Sequence, residues 1–140
     1  MMKISIGADH RGFALKQGLI KALSGYTWLD VGPENNDRVD YPVYADRVVD
    51  DLQEGRADCG VLICGSGVGM SIAANRHRGI RAALCWNAEI ATRAKSHDNA
   101  NILVLPSDFL TSDEAVTAIQ EWLDTEFKGG RYAERLDMID

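Results

Sequence analysis

A short apolar run that leads into three alternating glycines constrains the fold of this chain more than any other feature. Residues 61–63 are Val-Leu-Ile, which predicts a buried strand. Gly65, Gly67 and Gly69 follow, and then a segment of small residues suited to a helix. A strand that enters a helix through a glycine-rich turn points several backbone N–H groups into one concavity, where an anion can bind. The stretch therefore predicts a strand-to-helix unit with an anion-binding loop.

Four further apolar segments predict strands, and helical patterns separate them. These segments are residues 2–6, 26–31, 80–85 and 101–105. Asp40, Asn87 and Thr111 are candidate helix N-caps. The helix that follows Asn87 is predicted to end near Lys95, and the charged tail after Gly130 stays open between helix and coil. Five strands alternating with helices predict a three-layer α/β/α sandwich with a five-stranded parallel sheet of the Rossmann-like kind.

Length and composition fit one globular domain that spans residues 1–140. The formal net charge of −6 argues against a nucleic-acid-binding or anionic-membrane surface, although a small anionic ligand needs only a few local cations. Three cysteines without C-x-x-C spacing predict neither a disulfide framework nor a metal site, and they fit a reducing, cytoplasmic location. No run is long and apolar enough for a membrane span, and the first residues do not resemble a signal peptide.

Cys64 is a candidate catalytic residue because it ends the central strand at the edge of the glycine loop. A helix N-terminus favours the charged form of a nearby thiol, so the sequence predicts a Cys64 thiolate that forms readily near neutral pH. Two other interpretations stay open: free cysteine often packs as a small apolar residue, and alternating glycines also occur in ordinary tight turns. The loop lacks both the dinucleotide fingerprint and the P-loop lysine, which disfavours a nucleotide-binding module.

Further candidates are polar residues, because ligands bind beyond the carboxyl ends of parallel strands. Asp9, His10 and Arg11 follow the first strand, although Asp9 can equally cap the first helix. Arg131 and Arg135 are spaced to share one helix face, which suits a phosphate, and the alternative is a solvated charged face.

His97 presents a topological difficulty. It precedes the fifth strand and is therefore expected at the opposite edge of the sheet, from which it reaches the loop only through a long helix end or from a second subunit. The chain thus offers a thiol, histidines, an oxyanion loop and several cations. That inventory fits proton transfer next to a carbonyl on an anionic substrate.

Six motifs, in order along the chain, resemble those of the type B ribose-5-phosphate isomerases, a family that also includes galactose-6-phosphate and allose-6-phosphate isomerases. They are Gly7-Ala-Asp-His-Arg-Gly12, Asp40-Tyr-Pro42, Ile63-Cys-Gly-Ser-Gly-Val-Gly69, Ser71-Ile-Ala-Ala-Asn75, Gly79-Ile-Arg-Ala82 and Gly129-Gly-Arg131. The resemblance runs from Met2 to about Leu136. It implies aldose–ketose isomerisation through a cis-enediolate, without metal or cofactor, in pentose phosphate metabolism. It also implies a homodimer with active sites at the subunit interface, and a tetramer stays open.

The resemblance assigns roles to residues by position. It implies that Cys64 moves a proton between C2 and C1 of the sugar, that the Ser66 hydroxyl helps to hold the enediolate oxygen, and that His97 assists ring opening. Some members use a glutamate just after the loop's last glycine, where this chain has Met70, so Cys64 is the expected base. The residues implied to bind the substrate are Asp9, His10, Tyr41, Gly65, Gly67, Val68, Gly69, Asp98, Arg131 and Arg135.

Three positions depart from the pattern of that family. Asp98 follows His97 where asparagine is common, and Tyr132 replaces a common histidine. Asp108 stands where many members carry an arginine that reaches the phosphate bound by the partner subunit. A carboxylate in place of a cation weakens phosphate binding unless Arg11 or another cation compensates. The resemblance makes ribose 5-phosphate the leading substrate, and Asp98 and Asp108 are the reason to consider other sugar phosphates. A tetrose, allose or galactose phosphate and a non-catalytic sugar-phosphate-binding protein are the alternatives.

Overall fold

The structure, a computed structural model, describes all residues from Met1 to Asp140 and contains five strands and six helices. The strands are β1 (Lys3–Ala8), β2 (Thr27–Gly32), β3 (Cys59–Cys64), β4 (Ala82–Leu84) and β5 (Ile102–Pro106). The helices are α1 (Phe13–Ala22), α2 (Tyr41–Gln53), α3 (Val68–Asn75), α4 (Ala88–Asp98), α5 (Ser112–Asp124) and α6 (Arg131–Ile139). Strands and helices alternate from β1 to α5, as the apolar patterns predict.

All five strands are parallel and lie in the order β2-β1-β3-β5-β4. The central strand β3 pairs with β1 on one side and β5 on the other, and every residue of β3 is buried. Burial on both faces explains why this strand is continuously apolar rather than alternating.

Side chains of the central strands alternate between two apolar layers, one on each face of the sheet. Val61 and Ile63 pack in the layer that contains Trp122 of α5, whereas Leu62 and Cys64 pack in the layer formed with α2 and α3. Helices therefore cover both faces, and the predicted three-layer α/β/α sandwich is confirmed. The period of two also directs the Cys64 side chain toward α2 and α3.

The ends of several elements test the sequence predictions. The capping box at Thr111 is confirmed, because its hydroxyl accepts from the backbone N–H of Glu114 and the Glu114 side chain accepts from the N–H of Thr111. The predicted end of α4 near Lys95 is wrong: the helix continues to Asp98, and Asn99 ends it with φ 48°, a left-handed conformation that asparagine tolerates. The charged tail is helical, as α6.

Strand β4 is shorter than predicted. It covers Ala82–Leu84 rather than residues 80–85 and pairs only with β5 at the edge of the sheet. The backbone N–H of Ile80 donates to the carbonyl of His77 at 3.2 Å, so this residue belongs to the turn after α3. No helix of the chain combines the length and apolar character that crossing a membrane requires.

Candidate active site

The strand order brings three loops together at the carboxyl edge of the sheet. Strand β2 lies on one side of β1, and β3 lies on the other side. The connections from β1 to β2 and from β2 to β3 therefore run in opposite directions across the sheet, and the point of reversal lies between β1 and β3. In parallel sheets, such a reversal leaves a crevice beyond the carboxyl ends of the two strands. The loop after β5 adjoins this crevice because β5 pairs with β3 in a register that places Pro106 opposite Cys64.

A cavity of about 530 Å³ occupies that position. Its lining residues are Asp9, Arg11, Tyr41, Cys64, Gly65, Ser66, Val68, Gly69, Ile72 and Asp108. Seven of the residues that the sequence predicts for a site thus lie around one cavity. They come from the loop after β1, from the end of β3 and the loop that follows it, and from the first turns of α2 and α3, which are far apart along the chain.

The glycine loop has a shape that side chains would prevent. Gly67 has a φ of 77°, and a Cβ at this residue would lie 2.4 Å from a methyl carbon of Leu84. A Cβ on Gly69 would lie 2.5 Å from the ring of Tyr41, which approaches the loop from the start of α2. Gly67 therefore packs against the core beneath the loop rather than lining the cavity, and Gly69 allows an aromatic side chain to form one wall.

Helix α3 begins directly at the cavity, and the backbone N–H of Met70 in its first turn donates to the thiol of Cys64. Gly67 is its N-cap and provides no side-chain hydrogen bond, so the first N–H groups of the helix are left to other acceptors. The Ser66 hydroxyl oxygen accepts from the N–H of Val68 at 3.2 Å, which leaves the hydroxyl proton free to donate. Ser66 is exposed, so that proton is available to a bound ligand.

The backbone of the Cys64 region is tied to the loop after β5. The N–H of Ser107 donates to the carbonyl of Cys64 at 2.9 Å, and the N–H of Asp108 donates to the carbonyl of Gly65 at 3.0 Å. On the other side, the N–H of Asp9 donates to the carbonyl of Ile63 at 3.0 Å. These bonds continue the sheet ladders beyond the strands and fix the position of Cys64.

The thiol of Cys64 is less acidic than the sequence predicts. Its residue is only 5% exposed, and burial raises the pKa of the thiol. The backbone N–H groups of Met70, Gly67 and Ser66 lower it, and the charge of Asp9 raises it, without reversing the net direction. The prediction of a readily formed thiolate is therefore wrong in direction, because desolvation outweighs the helix end.

A comparison with the other two thiols reveals what the loop contributes. Burial raises the pKa of Cys59 and of Cys85 to about 12, and neither residue lies in the glycine loop. The rise at Cys64 is smaller. Donors from the loop thus partly compensate the burial of this thiol, and Cys64 is the cysteine from which a proton is removed most easily.

Asp9 and Tyr41 line the cavity, whereas His10 lies beside it. The Asp9 carboxylate accepts from the N–H of Gly12 at 2.9 Å, so it stabilises the turn before α1, and it also faces the cavity. The Nδ1 of His10 accepts from the N–H of Val39 at 3.4 Å, which points the ring toward the loop that precedes α2. This tautomer carries its proton on Nε2.

The structure contains an ion pair that the sequence does not predict. Arg11 donates from its guanidinium to the carboxylate of Asp108, and both side chains line the cavity. These residues are 97 positions apart, so no local pattern relates them. The signal that links them is the strand order, because β1 and β5 flank β3 and their loops must adjoin.

The second group of predicted residues lies at the amino edge of the sheet. Helix α4 starts at the carboxyl edge and runs back, so its last residues, His97 and Asp98, lie far from Cys64. The His97 ring stacks on Tyr132 of α6, with centroids 4.5 Å apart and planes 2° apart. The predicted separation of His97 from the glycine loop is confirmed for a single chain.

A cluster of cations surrounds Tyr132. The charged groups of Lys128, Arg131 and Arg135 lie 6.0, 5.3 and 5.8 Å from the centre of its ring. The pKa of Tyr132 is lowered, chiefly by the hydrogen bond from Arg131. Arg131 and Arg135 thus share a side of α6, as their spacing predicts. We call His97, Lys128, Arg131, Tyr132 and Arg135 the basic cluster.

Apolar side chains lie exposed around the mouth of the cavity. Val68 and Ile72 are about half exposed on α3, at 50% and 54%, and Trp86 and Phe109 are 50% and 73% exposed on neighbouring loops. A second depression, of about 330 Å³, lies between Trp86, Phe109 and Ser66. No group of three or more histidine, cysteine or carboxylate side chains is arranged to hold a metal ion.

Comparisons with known proteins identify the family to which the chain is similar. The model of the ribose/galactose isomerase family matches residues 4–139. The chain is 38% identical to ribose-5-phosphate isomerase B of Escherichia coli over 99% of this chain and 95% of the relative.

Two crystal structures are similar over nearly their whole length. Ribose-5-phosphate isomerase from Thermotoga maritima is 46% identical, with a TM-score of 0.97 over 99% of this chain and 97% of the other. Ribose-5-phosphate isomerase B from Mycoplasma genitalium, with bound ribulose 5-phosphate, is 39% identical, with a TM-score of 0.94 over 99% and 93%. The chain therefore belongs to the ribose/galactose isomerase family.

Proposed function

We propose that this protein interconverts ribose 5-phosphate and ribulose 5-phosphate, as an aldose–ketose isomerase of its family. The observation that carries the proposal is the position of Cys64 inside a cavity together with the donors of the glycine loop. A related enzyme from M. genitalium holds ribulose 5-phosphate, the ketose of this reaction. The three free cysteines fit a reducing compartment, and we propose a cytoplasmic location.

Cys64 is proposed to be the base. Its thiolate takes the proton from C2 of the open-chain aldose, which moves charge onto O1 and forms the cis-enediolate. The same thiol returns the proton to C1, while a hydroxyl proton passes from O2 to O1, so that atoms and charge balance. A raised pKa leaves little thiolate at neutral pH, but it makes that thiolate a stronger base toward a carbon acid.

The glycine loop is proposed to stabilise the charge that develops on the enediolate. The backbone N–H groups of the glycine loop and of the first turn of α3, together with the hydroxyl proton of Ser66, border the cavity. Fixed donors of this kind act on charge that forms in the transition state and need no reorganisation. Asp9 and Tyr41, on the cavity wall, suit the hydroxyl groups of the sugar.

A homodimer is proposed to complete the site. His97 and the basic cluster lie at the amino edge of one chain, so they meet the Cys64 cavity only from a second copy. The half-exposed apolar side chains at the cavity mouth supply a surface that such a copy would bury. His97 of the second copy would assist ring opening, and Arg131 and Arg135, with His10, would bind the phosphate.

The experiment is a turnover assay on four-, five- and six-carbon aldose phosphates, with the oligomeric state measured by light scattering. Efficient turnover of ribose 5-phosphate by a dimer is the expected result. Faster turnover of a tetrose or hexose phosphate would assign the same chemistry to another sugar, an alternative that Asp98 and Asp108 raise. Binding without turnover of any of these compounds would contradict the isomerase and favour a sugar-phosphate-binding protein.

A further inference from the structure

The Arg11–Asp108 ion pair lies directly against the residue that follows Cys64. A Cβ on Gly65 would be 2.7 Å from Nε of Arg11 and 2.8 Å from a carboxylate oxygen of Asp108. The Arg11 carbonyl accepts from the Ser107 hydroxyl at 3.3 Å. This bond links the loop after β1, which carries Arg11, to the loop after β5, which carries Asp108. The pair therefore forms a wall of the cavity next to the proposed base.

The charges on this wall do not favour binding of an anion while Arg11 is paired with Asp108. Asp9, Arg11 and Asp108 are the ionisable side chains of the cavity besides Cys64 and Tyr41, and they comprise two carboxylates and one guanidinium. A phosphate ester carries a charge of about −1.5 to −2 at neutral pH. A guanidinium binds phosphate through two parallel hydrogen bonds, but Arg11 already donates to Asp108.

The Arg11–Asp108 ion pair is also easily broken in favour of another anion. The Arg11 side chain is 59% exposed and that of Asp108 is 37% exposed. Ion pairs that water reaches contribute little stability, so a dianion that enters the cavity competes effectively for the guanidinium. Neither side chain has a buried polar partner that would hold it after exchange.

We propose that Asp108 determines the affinity of this site for phosphate by holding Arg11, which transfers from the Asp108 carboxylate to the phosphate of the substrate. Asp108 thereby weakens phosphate binding, and Arg11 adds a cation from the cavity wall to His10, Arg131 and Arg135, the phosphate ligands proposed above. The inference rests on the proposed function, because it assumes that the cavity receives a sugar phosphate. It assigns a specificity role to two residues and no step in the proton transfer.

The experiment is a double-mutant cycle on the full-length protein with Asp108→Asn, Arg11→Met and the double variant. Binding of inorganic phosphate is measured by titration calorimetry at low ionic strength, and KM and kcat for ribose 5-phosphate are measured in parallel. Glu89→Gln is the matched control, because it removes the same charge from an exposed pair with Arg93 outside the cavity.

We expect Asp108→Asn to tighten phosphate binding about fivefold in the wild-type background and less than about twofold in the Arg11→Met background. KM should fall by a similar factor while kcat changes less, and Glu89→Gln should change neither. An equal gain in both backgrounds would overturn the proposal, because Asp108 would then act only as a distant charge. Weaker or unchanged phosphate binding by Asp108→Asn would also overturn it. Because phosphate binding needs no turnover, failure of the isomerase assay leaves this test intact.

Discussion

The two edges of the sheet differ in what they provide for chemistry. At the carboxyl edge, three loops form a cavity around Cys64, in which the only guanidinium is paired with a carboxylate. At the amino edge, the basic cluster presents three cations around one phenol ring, and none of the six ion pairs of the structure involves them. One edge has the groups for proton transfer, and the other has the free positive charge that a phosphate requires.

Under the proposed mechanism, this difference leaves a single chain without a complete site. The 11 residues of α4 span about 16 Å, and they carry His97 away from the carboxyl edge at which the helix starts. A rotamer change cannot close such a gap, whereas a second copy can bring its basic cluster to the cavity. Closed two-fold symmetry would then produce two equivalent sites. The predictions below test whether the two edges act together.

The largest expected effect comes from removing the thiol. Cys64→Ala should lower kcat by about 10³-fold or more, because the thiol that it removes is the proposed base, which the N–H groups of the glycine loop contact. The measurement is the rate of ribulose 5-phosphate formation. Cys85→Ala is the matched control, since it removes another buried thiol from the core without changing the cavity. Equal activity of wild type and Cys64→Ala would remove the proposed base.

His97 is expected to contribute the next largest effect. His97→Asn should lower turnover about 10²-fold, within the range for a general acid–base group. The loss should be smaller with an aldose phosphate too short to close a furanose ring, because that substrate needs no ring opening. An equal loss with both substrates would contradict a role in ring opening.

Mixed dimers test directly whether the two edges meet between copies. A dimer that combines one Cys64→Ala chain with one His97→Asn chain has one site with both residues intact and one with neither. An equimolar random mixture of the two inactive chains should therefore recover about one quarter of wild-type activity. The measurement is turnover after co-expression with two affinity tags. No recovery would mean that both residues act within one chain.

Most of the fold could be predicted from the sequence because most elements depend on local signals. The continuous apolar run of β3 and the capping box at Thr111 are confirmed. The end of α4 was mispredicted because Lys95 and Asp98 have similar helical preferences, and the stop comes from the left-handed Asn99. Strand β4 was overestimated because its length depends on its edge position, which is not encoded locally.

The candidate site was predictable only in part. Seven of the residues chosen from motif positions line one cavity, since the glycine loop and the loop after β1 adjoin in any parallel sheet with β1 beside β3. The pairing of Arg11 with Asp108 depends on strand order, and the pKa of Cys64 depends on how deeply the thiol is buried. Both are consequences of packing, so a list of residues does not contain them.

The pH dependence of activity separates burial from the helix end as the dominant influence on Cys64. Because burial raises the pKa of the thiol, the thiolate fraction increases with pH throughout the neutral range. We expect kcat/KM to rise about tenfold per pH unit below that pKa, where the thiolate is the reactive form. A profile that is flat from neutral to alkaline pH would mean that the thiolate forms at lower pH, as a dominant helix end would require.

Alkylation by iodoacetamide independently checks the direction of the pKa shift of Cys64. Labelling of Cys64 in the folded protein should accelerate with pH in parallel with activity. Cys59 and Cys85, whose pKa values burial raises to about 12, should stay unlabelled under the same conditions. Labelling of all three thiols at one rate would indicate that the loop gives Cys64 no special environment.

The smallest expected effect concerns the aromatic stack at the amino edge. The Tyr132 ring lies parallel to His97 at 4.5 Å, and its hydroxyl accepts from Arg131 at the long distance of 3.5 Å. If the ring holds the imidazole in place for a neighbouring copy, the stacking surface matters more than the hydroxyl. Tyr132→Phe should then retain turnover, whereas Tyr132→Ala should lose about three- to tenfold, as expected for loss of an aromatic pair.

Tyr132→Ala should lower kcat on ring-closed substrates more than it raises KM, whereas loss of phosphate binding through disordered Arg131 and Arg135 would do the reverse. A variant with Phe as impaired as the one with Ala would assign the effect to the hydroxyl and its bond to Arg131, and the amino edge would then act through charge alone.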